Sequence, residues 1–260
     1  MTSHSGPLAG IGILVTRPAR QAGAFAQKIA ALGALPVIFP AIVILPPKDP
    51  ARLASTHAVL GSYDFAVFVS ANAVEFGVPD VRAWPPTVPA FAPGPGTAES
   101  LEAVGITGAR VPATTFDSEG LLALPELVAP RGKRVVIFRG DGGREQLGET
   151  LRARGAIVDY VGCYRRAAPA SGAQGLADAF RAGRIDAVTI TSSEGLDNLW
   201  TLADQATRTA WRTLPTFVPH PRIAEHARRV GLADVVETAG SDAGLIAGLV
   251  EWAAMTARPK

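Results

Sequence analysis

Gly10-Ile-Gly-Ile-Leu-Val-Thr-Arg17 and Gly132-Lys-Arg-Val-Val-Ile-Phe-Arg139 are two similar stretches that lie 122 residues apart in this chain. Each is a short aliphatic run that predicts a buried strand, and each is followed by an Ala- and Leu-rich amphipathic segment that predicts a helix. Phe65 to Val69 and Ala187 to Thr191 begin the same alternation again. Strands that alternate with helices and are apolar on both faces predict an α/β fold with parallel sheets.

The 122-residue spacing also relates later parts of the chain. It recurs between the segments around Ser70 and Ser192, and it grows to 126 between Gly105 and Gly231, as a four-residue insertion would produce. The matched segments are Tyr63–Asn72 with Ile185–Glu194, Phe91–Gly105 with Phe217–Gly231, and Ser118–Leu122 with Asp242–Ile246. Because all the matches occur in the same order, we predict an internal repeat of one α/β unit.

Two extended segments occupy equivalent positions in this repeat, Leu35 to Leu45 and Ile157 to Arg166. Pro40 in the first aligns with Gly162 in the second. Proline cannot donate to a sheet ladder and glycine weakens a strand, so each segment is expected to bend or to leave its sheet there. The segments are therefore candidate interdomain connectors, and ordinary sheet strands with a bulge are the alternative.

The composition indicates a well-packed chain that is long enough for two domains. It has 260 residues, of which 48% are apolar and 18% charged. The longest apolar stretch is interrupted by prolines and falls short of the roughly 20 residues that a spanning helix needs. We therefore expect no membrane segment. The net charge of only +2 argues against nucleic acid as a partner.

Cysteine and histidine usage exclude several kinds of site. Cys163 is the only cysteine, which rules out an internal disulfide and agrees with a reducing compartment. The four histidines lack the spacing of metal ligands, so we expect no metal. Residues Met1 to Ala9 lack the charged and apolar regions of a secretory signal. We therefore expect the protein in the cytoplasm.

Small polar residues, glycines and arginines follow the predicted strands, at the sheet edge where ligands bind in doubly wound folds. They are Arg17, Ser70, Asn72, Thr97, Arg139, Gly140, Arg144, Ser192, Ser193 and Arg222. Together they predict an anion-binding cleft, because hydroxyl and backbone N–H groups donate to anions and arginine binds carboxylates bidentately. Individually, the hydroxyl residues could instead cap helices and the arginines could be solvated surface groups.

Two glycine pairs resemble the start of a dinucleotide-binding motif but do not complete it. Gly94-Pro-Gly96 is followed by Glu99, and Gly140-Asp-Gly142 by Glu145, at the position of the third glycine. A carboxylate there opposes a pyrophosphate, so nucleotide binding is disfavoured. No GxSxG motif for a serine nucleophile occurs.

Tyr164 ends the strand-like run Val158-Asp-Tyr-Val-Gly-Cys-Tyr164 on one candidate connector. Its phenol can donate a proton to a reacting group. An aromatic side chain packed at the junction of two domains is the alternative role.

In its ordered motifs the chain resembles the uroporphyrinogen-III synthase family. The resemblance spans Gly10 to Trp252, and its principal motifs are Leu14-Val-Thr-Arg-Pro18, Val69-Ser-Ala-Asn-Ala-Val74, Gly94-Pro-Gly-Thr-Ala98, Phe116-Asp-Ser-Glu119, Arg139-Gly to Arg144, and Tyr164-Arg-Arg166. It implies two flavodoxin-like α/β lobes with parallel sheets, joined by a two-stranded connector. The first lobe would contain residues 1–39 and 168–260, the second 42–165, and the connectors would lie near 38–44 and 160–168.

The resemblance also implies a reaction. It is that of a lyase that cyclises hydroxymethylbilane with loss of water and inversion of ring D, giving uroporphyrinogen III without a cofactor. Tyr164 matches the family's proposed general acid. The residues at family positions that line the cleft are Ser70, Asn72, Thr97, Ser118, Gly140, Ser192 and Ser193.

One segment departs from the family pattern. Many members have Gly-Pro-Thr-Thr-Ala where this chain has His220-Pro-Arg-Ile-Ala224, so a hydroxyl donor is lost and Arg222 is the candidate to replace it. The family resemblance implies a monomer. The main alternative function is a non-catalytic two-lobed binding protein for a small polyanionic ligand, and a second is a nucleic-acid or regulatory module that uses the region from Arg131 to Arg144.

Overall fold

The computed structural model describes residues 6–142, 145–170 and 172–256. The chain forms two compact units: one contains the chain up to Val43 and from Ala167 onward, and the other is Ile44–Arg166. Each unit is built on a sheet of five strands. Parallel pairing joins all five strands of the first sheet and four of the five strands of the second, which confirms the predicted α/β fold with parallel sheets.

The first unit alternates strands and helices along both of its chain segments. Its strands are β1 (Gly12–Val15), β2 (Leu35–Ile38), β8 (Ala187–Thr189), β9 (Thr216–Val218) and β10 (Val235–Glu237). Its helices are α1 (Ala19–Ala30), α8 (Ala173–Arg181), α9 (Ser193–Leu202), α10 (Gln205–Trp211), α11 (Pro221–Arg229) and α12 (Asp242–Thr256).

The second unit has the same alternation. Its strands are β3 (Val43–Leu45), β4 (Phe65–Phe68), β5 (Ala90–Phe91), β6 (Arg134–Gly140) and β7 (Ile157–Ala167). Its helices are α2 (Pro50–Ala58), α3 (Ala71–Gly77), α4 (Pro95–Ala103), α5 (Ser118–Leu122), α6 (Pro125–Val128) and α7 (Gln146–Ala153), with short 3₁₀ turns at Leu60–Ser62 and Val81–Ala83.

The strand orders are β2-β1-β8-β9-β10 in the first sheet and β3-β7-β6-β4-β5 in the second. The first is the flavodoxin order, in which ligands bind at the carboxyl ends of the strands where the winding direction reverses. In the second, β7, β6, β4 and β5 follow the same order, and an isolated parallel bridge joins Phe91 to Arg110. The reversal point lies between β1 and β8 in one unit and between β6 and β4 in the other.

Both faces of each sheet are covered. In β1, Leu14 belongs to one apolar cluster, whereas Ile13 and Val15 belong to the cluster on the opposite face. The residues of β6 divide in the same way, with Val136 and Phe138 on one side and Val135 and Ile137 on the other. This alternation is the two-residue period of a strand, and it explains why these runs are continuously apolar.

The two extended segments behave differently. β2 ends before Pro40, and β3, which follows in the chain, lies beside β7 in the other sheet. The first segment therefore leaves its sheet, as expected where proline removes a ladder donor. β7 instead runs through Gly162, with a register shift where Arg139 pairs with Gly162 and Gly140 with Tyr164. From Ile157 to Tyr164 the second segment is thus a sheet strand with a bulge.

Two aspartates make equivalent contacts in the two units. The Asp186 carboxylate accepts a hydrogen bond from the Gly12 N–H at 2.7 Å, and the Asp186 N–H donates to the Gly12 carbonyl at 2.7 Å. Asp64 makes the same pair of bonds with the backbone of Arg134, both at 2.8 Å. In each unit an aspartate therefore satisfies the first N–H of a central strand, at positions 122 residues apart.

We predict that Asp186→Ala lowers the free energy of unfolding by about 1 kcal/mol, because the Gly12 N–H loses its acceptor. Urea denaturation followed by circular dichroism measures the change. Asp178→Ala is the control, since the Asp178 carboxylate is half exposed and pairs with Arg181 at the surface; that change should stay within about 0.5 kcal/mol. Equal losses in the two variants would contradict a special role for Asp186.

Candidate active site

A cavity of about 230 Å³ lies within the second unit, at the carboxyl ends of its central strands. Four predicted site residues line it: Ser118, Arg139, Gly140 and Tyr164. They come from three elements, the start of α5, the end of β6 and the second half of β7. The fold therefore brings together side chains that are up to 46 residues apart in the chain, counting from Ser118 to Tyr164.

Tyr164 is buried, with 3% of its surface exposed. Its hydroxyl lies 3.2 Å from the Ser70 Oγ, and either oxygen can be the donor. Ser70 also caps α3, because its Oγ accepts a hydrogen bond from the Ala73 N–H at 3.1 Å. The helix-cap role foreseen for Ser70 is therefore present, and the cap fixes the hydroxyl that contacts Tyr164.

The Tyr164 ring packs directly on the backbone of Gly140. A Cβ atom added to Gly140 would lie 2.7 Å from the Tyr164 Cε2 and Cζ, closer than non-bonded carbon atoms approach. The β6–β7 bulge pairs these two residues. Gly140 therefore allows Tyr164 to occupy its position, which explains the glycine without a nucleotide-binding motif.

Arg139 is a buried arginine whose guanidinium is held by its own loop. Its Nε–H donates to the Gly142 carbonyl at 3.1 Å, and its Nη2 also donates to that oxygen. Nη1 lies 3.2 Å from the Glu145 carboxylate. The guanidinium stacks on the Tyr160 ring, with 4.7 Å from Cζ to the ring centroid. Arg139 is thus not a solvated surface arginine.

Asn72, Thr97 and Ser118 lie in the first turns of three helices of the same unit. Thr97 is buried inside α4, whose N-cap is Gly94, so capping does not explain it. Ser118 opens α5, where the neighbouring Asp117 is the cap. The helix-cap alternative therefore fails for Thr97.

Arg17, Ser192, Ser193 and Arg222 belong to the first unit. The Ser192 Oγ caps α9 by accepting from the Gly195 N–H at 3.0 Å, and Ser193 is the first residue of that helix. Arg222 is exposed at the start of α11. Arg144 lies outside the described residues.

Arg17 is held between an aromatic ring and a carboxylate. Its guanidinium lies 4.4 Å above the centroid of Phe25 and donates to Asp242, which also accepts from Lys28 at 2.9 Å. The Nε of Arg17 is buried and has no partner in the described part of the chain. Burial works to raise the pKa of Asp242, but the hydrogen bonds from Lys28 and Arg17 hold it below its usual value.

Tyr160 and Asp141 line the cavity and were not among the predicted site residues. Tyr160 stands four residues before Tyr164 in the same strand, and Asp141 directly follows Gly140. Both residues stand within motifs of the sequence, but only the tertiary structure shows that they border a cavity.

Cys163 is buried and unsuited to nucleophilic chemistry. Burial raises the pKa of its thiol to about 12, and the thiol lies 3.3 Å from the carbonyl oxygen of Arg139. Among the described residues, no group of three or more potential ligands is placed to hold a metal ion. In the same part of the chain, no helix combines the length and apolar character needed to cross a bilayer.

Comparison with known proteins shows the family. A family model described as Uroporphyrinogen-III synthase HemD matches residues 23–247. The chain belongs to the uroporphyrinogen-III synthase family. The uroporphyrinogen-III synthase of Salmonella typhimurium is 37% identical over 240 residues, which cover 90% of this chain and 98% of that protein. The Escherichia coli uroporphyrinogen-III synthase is 36% identical over the same shares.

Solved structures of uroporphyrinogen-III synthases have a similar fold. A mutant enzyme from Thermus thermophilus superimposes with a TM-score of 0.57 at 20% identity, covering 94% of this chain and 99% of that one. The Helicobacter pylori enzyme gives 0.56 at 14% identity, covering 95% and 98%. The family model and the curated relatives confirm the predicted resemblance to the uroporphyrinogen-III synthase family.

We predict that Gly140→Ala displaces the Tyr164 ring and costs about 1–3 kcal/mol of stability, because the new methyl group overlaps the ring. Denaturant unfolding measures the cost, and a crystal structure of the variant measures the displacement. Gly96→Ala in α4 is the matched control, since its Cβ would meet nothing within 4 Å. If Gly140→Ala were as harmless as Gly96→Ala, the close packing described above would be wrong.

We predict that Asp242→Asn destabilises the protein by about 1–3 kcal/mol at pH 7, because the partly buried Arg17 guanidinium loses its charged partner. The pKa of Asp242 is lowered in the folded state, so its stabilising effect is present above the ordinary carboxyl pKa. It is lost as the pH falls through the lowered folded value. Unfolding free energies of wild type and variant should therefore converge in acid.

Lys28→Gln is the control for Asp242→Asn. The Lys28 side chain is 54% exposed, and surface ion pairs contribute less than about 1 kcal/mol. A constant difference between wild type and Asp242→Asn at every pH would contradict the charge-based explanation.

Proposed function

We propose that this protein converts hydroxymethylbilane into uroporphyrinogen III, closing the ring with loss of water and inverting ring D. Membership of the family supports this, because its members are ring-closing lyases and the alignment covers 98% of two curated relatives. The alternative of a non-catalytic binding protein for a small polyanion has no support from these relatives.

The reaction is a problem of geometry. Loss of the hydroxyl group leaves an electrophilic azafulvene, which the substituted carbon of ring D attacks to give a spirocyclic intermediate that rearranges. Free substrate closes spontaneously to the unrearranged isomer. The enzyme must therefore hold the linear tetrapyrrole in one geometry. Proximity and orientation of the reacting atoms then make the rearranging closure faster than the spontaneous one. No cofactor or metal enters this scheme.

The assignment of a general acid rests on how the hydrogen bonds of the three tyrosine hydroxyls differ. The Tyr63 hydroxyl donates to the Asp159 carboxylate, and burial together with that bond raises its pKa to about 12. The Tyr160 hydroxyl donates to the Glu145 carbonyl. The Tyr164 hydroxyl meets only another hydroxyl among the described residues, and Tyr164 lines the cavity. Its proton is the one that remains available for a substrate.

Tyr164 is therefore the general acid in this proposal. Its phenol donates a proton to the departing hydroxyl group of hydroxymethylbilane, while the Ser70 Oγ orients the phenol. General acid catalysis of this kind contributes about 10²- to 10⁴-fold to a rate. Because Ser70 is fixed by capping α3, the donor is aligned before the substrate arrives.

The substrate has eight carboxylates, which the remaining hydrogen-bond donors can bind. We assign substrate binding to Arg17, Ser70, Asn72, Thr97, Ser118, Arg139, Gly140, Arg144, Ser192, Ser193 and Arg222. Arginine and hydroxyl donors recognise carboxylates through charge-assisted hydrogen bonds. Arg222 takes the place of the hydroxyl donor that other members carry in the second half of the chain.

The architecture fits a duplication of one flavodoxin-like unit. Gly10 and Gly132 both have a left-handed backbone, with φ of +77° and +75°, and so do Gly33 and Gly155, with +91° and +87°. Each pair is 122 residues apart. The shared strand order and the Asp64 and Asp186 contacts support the same conclusion.

The proposed lobes are residues 1–39 with 168–260, and residues 42–165. Their two-stranded connector would be formed by β3 and the end of β7, which are neighbours in one sheet. A cytoplasmic location and a monomeric state are part of the proposal and rest on the sequence.

The test is the isomer ratio formed from freshly generated hydroxymethylbilane. We expect predominantly isomer III with the wild type, and a loss of about 10²-fold or more in kcat with Tyr164→Phe, because the ring stays but the acid is removed. Tyr63→Phe is the matched control, since it removes a buried hydroxyl that borders neither cavity described for this unit.

Either part of the proposal can fail separately. Isomer I alone with the wild type would reject the synthase function. Isomer III with an undiminished rate in Tyr164→Phe would keep the function and reject the acid role.

A further inference from the structure

We infer that Tyr160 is a positioning residue of the proposed reaction: it orients Arg139, and through Arg139 the segment 139–142, toward a carboxylate of the substrate. The inference rests on the proposed function. Tyr160 lies in the middle of β7, and its backbone pairs with Ile137 in β6, two residues before Arg139.

The Tyr160 ring lies between two guanidinium groups. The Cζ of Arg139 is 4.7 Å from the ring centroid and that of Arg152 is 5.2 Å. Both distances are within the range of cation–π attraction, which strengthens when the groups are removed from water. Arg139 is only 7% exposed, so its contact with the ring is of the stronger kind.

The Tyr160 hydroxyl fixes the start of α7 at the same time. It donates to the Glu145 carbonyl and accepts from the Gly148 N–H, both at 2.8 Å. A Cβ on Gly148 would lie 2.3 Å from this oxygen, so the glycine permits the contact. Since Glu145 is also the ion-pair partner of Arg139, one tyrosine holds both the cation and its counterion.

This arrangement leaves Arg139 with unused donors. Arginine has five N–H groups, and the bonds to Gly142 and Glu145 use the Nε–H and one N–H of each terminal nitrogen. One N–H on each terminal nitrogen has no partner among the described residues. Two such N–H groups on one planar guanidinium can bind a carboxylate.

The position of Arg139 suits that use. It borders the cavity of Tyr164 and also a neighbouring cavity of about 380 Å³ in the same unit. Gly140, Asp141, Gly142 and Tyr160 line both cavities as well. Tyr160 therefore supports the wall that the two cavities share, and a tilt of Arg139 would change both.

The experiment compares Tyr160→Leu, Tyr160→Met and Tyr160→Phe in the full-length protein, with hydroxymethylbilane as substrate. Leucine and methionine remove the aromatic face, and we expect KM to rise about tenfold with kcat within about threefold, because the lost contact is used in binding. Phenylalanine keeps the face, so it should restore KM to within about threefold of the wild type. Methionine provides a second test if the leucine variant does not fold.

Two controls separate positioning from a general loss of structure. Tyr63→Leu also removes an aromatic ring that contacts a guanidinium group, since the Arg134 Cζ lies 4.8 Å from the centroid of the Tyr63 ring. This variant should lower thermal stability without changing KM. Arg139→Gln should raise KM, and adding Tyr160→Leu to it should change KM little further, because both substitutions remove one interaction.

The outcomes distinguish this inference from the proposed function. Independent, multiplicative effects of Tyr160→Leu and Arg139→Gln on KM would overturn the inference, as would an unchanged KM in Tyr160→Leu with isomer III still formed. Absence of isomer III with the wild type would instead reject the proposed function itself.

Discussion

The fold of each unit depends on burying both faces of its parallel sheet. The central strands β1 and β6 each contain an unbroken run of buried apolar residues, so neither face tolerates water and helices must cover both. Parallel neighbours require crossover connections, and those connections place the strands' carboxyl ends along one edge. The ends of the strands and the loops that follow them carry Arg17 and Ser192 in the first unit and Ser70 and Arg139 in the second. In each unit the proposed site residues therefore lie where the buried strands end.

At that edge of the second unit, the position of the Tyr164 ring is set by its close approach to the backbone of Gly140. Gly140 lacks a Cβ, which allows Tyr164 to pack against β6, and the bulge in β7 sets the pairing of the two residues. The neighbouring polar groups are hydrogen-bonded to one another. Such a network loses less on binding a ligand, because few side chains have still to be ordered.

The three tyrosine hydroxyls differ in their hydrogen-bond partners. A carboxylate partner fixes Tyr63, and two backbone groups fix Tyr160, so the protons of both are committed. Tyr164 shares its hydrogen bond with a serine hydroxyl that can serve as donor or acceptor. Burial has a similar effect on Cys163, whose raised pKa removes it from the reactive groups.

The sequence by itself determined the α/β class, the apolar strands, the family, and most residues at the carboxyl ends of the strands, because these follow from local patterns and their order along the chain. Pro40 also marked the end of β2, since proline has no N–H to donate. Only the tertiary structure decided that Arg139 is buried against Tyr160, that Gly140 serves Tyr164, and that Ser70 contacts the phenol while it caps a helix. Those relations depend on strand register and on a bulge, which bring residues from distant parts of the chain within hydrogen-bonding distance and leave little trace in local sequence.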